Sequence, residues 1–251
     1  MHKKIFIFGD SSIADTAGAK VVMPDGTLTY NPFGSKITLI DDLKIFFGWR
    51  VGWTAKNLSQ EDFKMLKKII NQFKTKIDKE SLVVLGFGAV DAECQFFGKS
   101  AKEAAFNYFH TTQNFFKNIT SNILYIATTP TMSTNKEIIN LLPPNWYDEK
   151  TKDKNHLDFA KELKSLCIEN NIIEPFNKWD TIKEELALNY PREYFGPDGY
   201  HFNRRISDQI RLDLAKWIKK NRNMLFKTPL ETWLVKNDDP YEESENIYDE
   251  L

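Results

Sequence analysis

Cysteine is scarce in this chain. There are two in 251 residues, Cys94 and Cys167. They stand too far apart for a CxxC redox or zinc pair and are too few for the disulfide framework of a small secreted domain. The four histidines include no pair at metal-ligand spacing, so neither a metal nor another cofactor is expected. Charge of one sign is lacking too. Thirty-four Lys/Arg against 35 Asp/Glu leave a net charge of -1, and no basic field gathers nucleic acid or anionic lipid. Long hydrophobic runs are missing: Ile5 to Phe8 is four residues, close behind Met1, and falls short of a signal-peptide core or a membrane span. It reads as a strand, and the chain as cytoplasmic with reduced thiols. No repeat and no Gly/Ser linker divides the chain, so a single domain over residues 1–225 is expected.

What is present is alternation. Ile5 to Phe8, the stretch around Trp49 to Val51, Leu82 to Leu85 and Ile123 to Ala127 are short apolar runs followed by Gly, Asp, Ser, Thr or Pro, as strands buried on both faces are. Between them, Phe63, Leu66, Ile69, Ile70, Phe73 and Ile77 recur at helical spacing, with Ser59 and Asp62 as a capping-box-like start. Ala101 to Ile119, Phe159 to Leu166 and Ile206 to Ile218 keep the same period, and Ile37, Ile40, Leu43 and Phe47 predict a shorter helix between the first two strands. Strands alternating with helices predict an α/β domain around a parallel sheet. The composition changes after about Leu225: Asp238 to Glu250 holds seven acidic residues, and 226–251 reads as an acidic tail, either solvated or a docking segment for a protein partner anchored by Trp233 and Leu234.

Two constellations carry chemistry. The first strand runs into Gly9-Asp10-Ser11-Ser12, which sets a hydroxyl at the carboxyl end of a central strand, where open α/β sheets bind ligands. By itself this tripeptide also makes ordinary turns and caps. Near the other end stands Gly196-Pro197-Asp198-Gly199-Tyr200-His201-Phe202-Asn203. A serine hydroxyl needs a base to take its proton, and an imidazole serves when its second nitrogen is held by an acceptor. One turn around Gly199 can bring Asp198 to His201. A capping carboxylate beside a surface histidine would have the same spacing.

Together, an N-terminal strand ending in Gly-Asp-Ser and a C-terminal Asp-x-x-His before the last helix resemble the GDSL/SGNH hydrolase family. The resemblance runs over about residues 3 to 220. It implies a flavodoxin-like α/β/α sandwich, with Ser11 as nucleophile and Asp198 and His201 as its triad partners. It also implies that the N–H groups of Ser11 and Gly52 receive the oxyanion, Gly48 being the alternative glycine. The family's third block, Gly-x-Asn-Asp, falls on Gly88-Ala89-Val90-Asp91, where Val90 replaces the asparagine whose amide is the remaining oxyanion donor. Removing such a donor costs roughly 100- to 1000-fold in rate. Trp53 Nε1, Thr54, Gln95 and Asn107 are candidate replacements. Asp10, Gly88, Val90 and Asp91 are expected to line the substrate site.

The expected activity is removal of a small O-acyl group by a serine esterase, acting on a small-molecule or glycan ester. Acyl transfer to a sugar hydroxyl, or binding without catalysis, are the alternatives. Tyr30 to Gly34 and Asn145 to Tyr147 bring rings to loops beside the cleft, suited to a sugar face or to core packing, and Tyr190, Tyr194 and Phe195 are candidates for a lid. His110 reads as a surface histidine, and Cys94 as a buried thiol or a neighbour of the pocket.

Overall fold

The computed structural model describes residues 4–17, 20–22, 28–30, 33–40, 43–50, 53–59, 63–73, 75–94, 98–127, 149–177 and 203–226. Its centre is a five-stranded sheet. In chain order the strands are β1 (Lys4–Gly9), β4 (Phe33–Ile40), β5 (Leu43–Arg50), β6 (Leu82–Gly86) and β7 (Ile123–Tyr125), and β2 (Lys20–Val22) pairs with β3 (Leu28–Tyr30) in a separate ribbon. Across the sheet the order is β4-β5-β1-β6-β7, with every pair parallel except β4 on β5. A parallel bridge from Ile126 to Phe176 extends the β7 edge. Apart from the antiparallel β4, the parallel strands therefore run in the doubly wound order, second-first-third-fourth. The order reverses between β1 and β6, and ligands bind at the carboxyl ends of strands at such a reversal.

Both sheet faces are buried, and side-chain alternation assigns each residue to one of them. Phe6, Phe8, Phe46, Val83, Leu85 and Tyr125 face α2 (Ala55–Ser59), α3 (Lys64–Gln72), α5 (Ala101–Phe116) and α6 (Glu149–Glu169). Ile5, Ile7, Ile45, Phe47, Val84 and Leu124 face α1 (Ser11–Thr16) and α7 (Arg204–Lys220). The short α4 (Ala89–Cys94) follows β6, and α8 (Arg222–Leu225) follows α7. The result is a three-layer α/β/α sandwich, as expected. No described helix is long and apolar enough to cross a membrane.

Two expectations need correction. Residues Ile37 to Phe47 form the paired arms of β4 and β5, with Ile40 opposite Leu43. The helical spacing read there also fits strands, because Leu43, Ile45, Phe47 and Trp49 lie on one buried face and Phe46 on the other. Helix α3 begins at Lys64 after Phe63, whose φ of 58° is left-handed, while Ser59 ends α2 instead of capping α3. Two other helix starts obey the capping rules. Ser100 Oγ accepts from Glu103 N–H at 3.1 Å to start α5, and the Asn203 side chain accepts from Ile206 N–H at 3.0 Å to start α7. The acidic tail, the loop with Asn145 to Tyr147 and the candidate lid residues lie outside the described residues.

Candidate functional site

The site is built on the ends of β1 and β6. Gly9 pairs with Gly86, and Asp10 N–H donates to the Gly86 carbonyl at 3.3 Å. A side chain at Gly9 would place its Cβ 2.1 Å from Ile13 Cγ1 and 2.4 Å from the Gly86 oxygen. Glycine there lets α1 press Ile13 across both strand ends, and this close seating fixes where Ser11 emerges.

Asp10 organises the turn. It is 3% exposed; its Oδ1 accepts from Ser12 N–H at 2.9 Å, and its carbonyl accepts from Ile13 N–H (3.0 Å) and Ala14 N–H (3.3 Å). Ser11, the first residue of α1, is half-buried, and among the described residues no hydrogen bond takes its N–H. An N–H left open at a serine is a group that can donate to a developing oxyanion.

On the neighbouring strand end, Gly88 has φ 104°, and a Cβ there would lie 2.4 Å from Phe159 Cζ. This glycine is required twice over, by conformation and by the ring of α6 pressed on it. Its carbonyl accepts from Ala92 N–H at 2.8 Å and opens α4. Val90 is half-buried in the first turn of α4 and supplies no donor.

Asp91 is fully buried and reaches across to a different element. Its Oδ2 accepts from Ala55 N–H, and its Oδ1 from Lys56 N–H at 3.2 Å, at the start of α2. Burial pushes its carboxyl up to about 6, against the pull of those two N–H groups, and the nearby Asp10 adds to the rise. Tyr108 of α5 is wholly buried close by. Burial first, then Tyr125, hold its phenol well above the ordinary range, with Asp10 and Asp91 acting in the same direction, so it is a neutral hydroxyl.

The candidate replacements for the missing amide separate. Thr54 is 5% exposed and committed: its hydroxyl donates to Asn57 Oδ1 at 2.6 Å and accepts from Asn57 N–H at 2.8 Å. Trp53 is 1% exposed, packs edge-on against Phe87 at 5.0 Å, and its indole N–H meets no acceptor among the described residues. Asn107 is half-buried on α5 and already has a partner. Gln95 lies outside the described residues, and so do Gly52, Asp198 and His201. Ser11, Asp10, Gly88, Val90 and Asp91 are thus gathered at two adjacent strand ends. Asn203, the cap of α7, is the first described residue after His201 in the chain. That helix packs against α1, and Arg211 donates to the Thr16 carbonyl at 3.2 Å.

The link from Asp91 to α2 was not visible in the sequence, because 36 residues separate the partners. Nor was the burial of His156 (1% exposed) on α6; the only available signal was its position three residues before Phe159 on the same helix face. His110 is exposed, as expected, and its ring lies 4.2 Å from that of Phe106. Burial, with Glu174 adding, pushes the Cys167 thiol up to about 12, so it is inert.

No protein-family model matches the chain, and no curated protein sequence does either. Solved structures do. A member of the lipolytic protein G-D-S-L family from Veillonella parvula superposes with a TM-score of 0.55 at 14% identity, over 87% of this chain and 99% of that one. A family 3 carbohydrate esterase from Clostridium thermocellum does so with a TM-score of 0.50 at 13% identity, over 90% of this chain and 98% of that one. At these identities the likeness is one of architecture, and it extends over nearly the whole of both structures. With its serine at the strand-order reversal, the chain has the SGNH hydrolase fold.

Proposed function

We propose that the chain is a serine esterase that removes a small O-acyl group, with Ser11 as nucleophile. The observation that carries this reading is the seat of Ser11: first in its helix, half-buried at the strand-order reversal, with an N–H that nothing described occupies. In the reaction, Ser11 Oγ attacks the ester carbonyl while His201 takes its proton, and Asp198 holds the ring for that transfer. The developing negative charge is received by the N–H groups of Ser11 and Gly52. His201 then protonates the leaving alcohol, and water, activated by the same imidazole, releases the acid.

In the sequence His201 stands two residues before Asn203, the cap of α7, a helix packed on α1. A carbohydrate ester is the preferred substrate class, because one structural neighbour is a carbohydrate esterase.

Ser11→Ala and His201→Ala are each expected to lower turnover of short-chain p-nitrophenyl esters by roughly 1000-fold or more. Undiminished turnover in either variant would refute the assignment. Val90 favours a second reading, a binding protein on the same fold, because the side chain before Asp91 cannot donate to an oxyanion. Folded protein that fails to react at Ser11 with a fluorophosphonate would favour that reading.

A further inference from the structure

We propose that Asp91 is a positioning residue of the Ser11 site: its carboxylate, on α4, holds the Ala55 and Lys56 N–H groups and thereby fixes the described residues at the start of α2, which follow Gly52 in the chain. The catalytic consequence rests on the esterase reading above.

Placing a carboxylate there is costly. Asp91 is fully exposed in no direction; its relative exposure is 0%, and it shares its surroundings with the buried Asp10 at the end of β1 and the neutral Tyr108 of α5. Helix α6, packed on α4 and α5, carries the buried His156, and the Lys56 side chain of α2 is exposed. A buried carboxylate among such neighbours persists where hydrogen bonds to its charged form hold it. Here those bonds come from the backbone of another element, 36 and 35 residues earlier in the chain.

The segment so held is short and tied at both ends. Trp53 N–H donates to the carbonyl of Arg50, the last residue of β5, at 3.1 Å, and Leu58 N–H donates to the Thr54 carbonyl at 3.1 Å. Thr54 and Asn57 close the first turn of α2 between themselves. Asp91 is therefore a hydrogen-bonded tie from these residues to the β6 side of the site, alongside the packing of Trp53 on Phe87. Gly52, between Arg50 and Trp53, is the proposed second oxyanion donor. With valine at position 90, oxyanion stabilisation falls on backbone N–H groups, and a backbone donor is only as well aimed as the segment that carries it.

A simple structural cap and a positioning residue differ in what their removal changes. Asp91→Asn keeps the shape and one acceptor oxygen, and Asp91→Ala keeps neither. Turnover per folded molecule is expected to fall about 10-fold in the first and about 100-fold in the second, with KM within two-fold of wild type. Deuterium uptake by the backbone of residues 53–59 is expected to rise in the same order. Where Asp91→Ala fails to fold, Asp91→Asn carries the test.

Unchanged exchange at 53–59 in Asp91→Asn would overturn the tie. Faster exchange with unchanged kcat would overturn its role in positioning. If wild-type protein neither turns over esters nor reacts with fluorophosphonate, the esterase reading fails by itself, and the exchange measurement still decides whether Asp91 holds the segment.

Discussion

A valine at position 90 leaves the first turn of α4 without a side-chain donor, in a site whose proposed oxyanion donors are the backbone N–H groups of Ser11 and Gly52. Val90 is half-buried in the first turn of α4, beside Asp91, and an asparagine there would supply an amide donor. Val90→Asn is expected to raise kcat on p-nitrophenyl acetate by roughly 10-fold or more, since one oxyanion donor is worth about 100- to 1000-fold where it is well aimed. A rate unchanged or lowered, in protein of native urea midpoint, would mean that the oxyanion is held in a place this side chain does not reach. At this scale the sequence was legible where a residue's type is its role. Ser11 after a strand and the glycine at position 88 are of this kind. It named Asp91 for the substrate site but not its partners, because no local pattern records a contact between residues 91 and 55.

Helix α7 joins the C-terminal block to the fold. Its start depends on Asn203, whose side chain takes the Ile206 N–H, and two residues before that cap comes His201. Asn203→Ala is expected to cost about 1 kcal/mol in stability. Through the frayed first turn it is also expected to lower kcat several-fold with KM nearly constant. Asn203→Ser, which restores a capping oxygen, should return both. Urea unfolding alongside steady-state kinetics checks this, and a stability loss with kcat intact would show that the histidine is not held through the cap. Elements were readable where one period excluded the other. The apolar stripe of α5 fits a helix alone, and its Ser100 and Glu103 box marks the start. Between Ile37 and Phe47 both periods are satisfied, because β5 is buried on two faces, and pairing with β1 decides for strand. Phe63 misleads in a different way: it belongs to the apolar stripe read for α3, but it takes up the left-handed turn before the helix.

For the whole molecule, the two hydrophobic layers explain why the strand order and sandwich follow from short apolar runs, while the stability of the assembled protein carries the mark of its site. Asp91 is the case in point. Its folded pKa of about 6 lies above the ordinary 3.8, so between those values the folded state binds a proton that the unfolded chain has released. Stability from this group is fully present below about pH 3.8 and is lost as pH rises through 6. The gap corresponds to about 3 kcal/mol at 1.36 kcal/mol per unit. At neutral pH, then, the protein carries an ionised carboxylate in a buried place where its charge costs stability and where it holds α2. Asp91→Asn has no such titration. The difference in unfolding free energy between wild type and this variant is therefore expected to move by about 2 kcal/mol in favour of the variant between pH 4 and pH 7.5, the rest of the shift falling below pH 4. Comparing the two proteins at each pH cancels the other titrating groups. Urea unfolding at a series of pH values reads the shift directly, and a pH-independent difference would mean that Asp91 ionises in the fold as it does in the open chain. A variant more stable than wild type at neutral pH yet slower in turnover would show a carboxylate kept for the site at the expense of the fold.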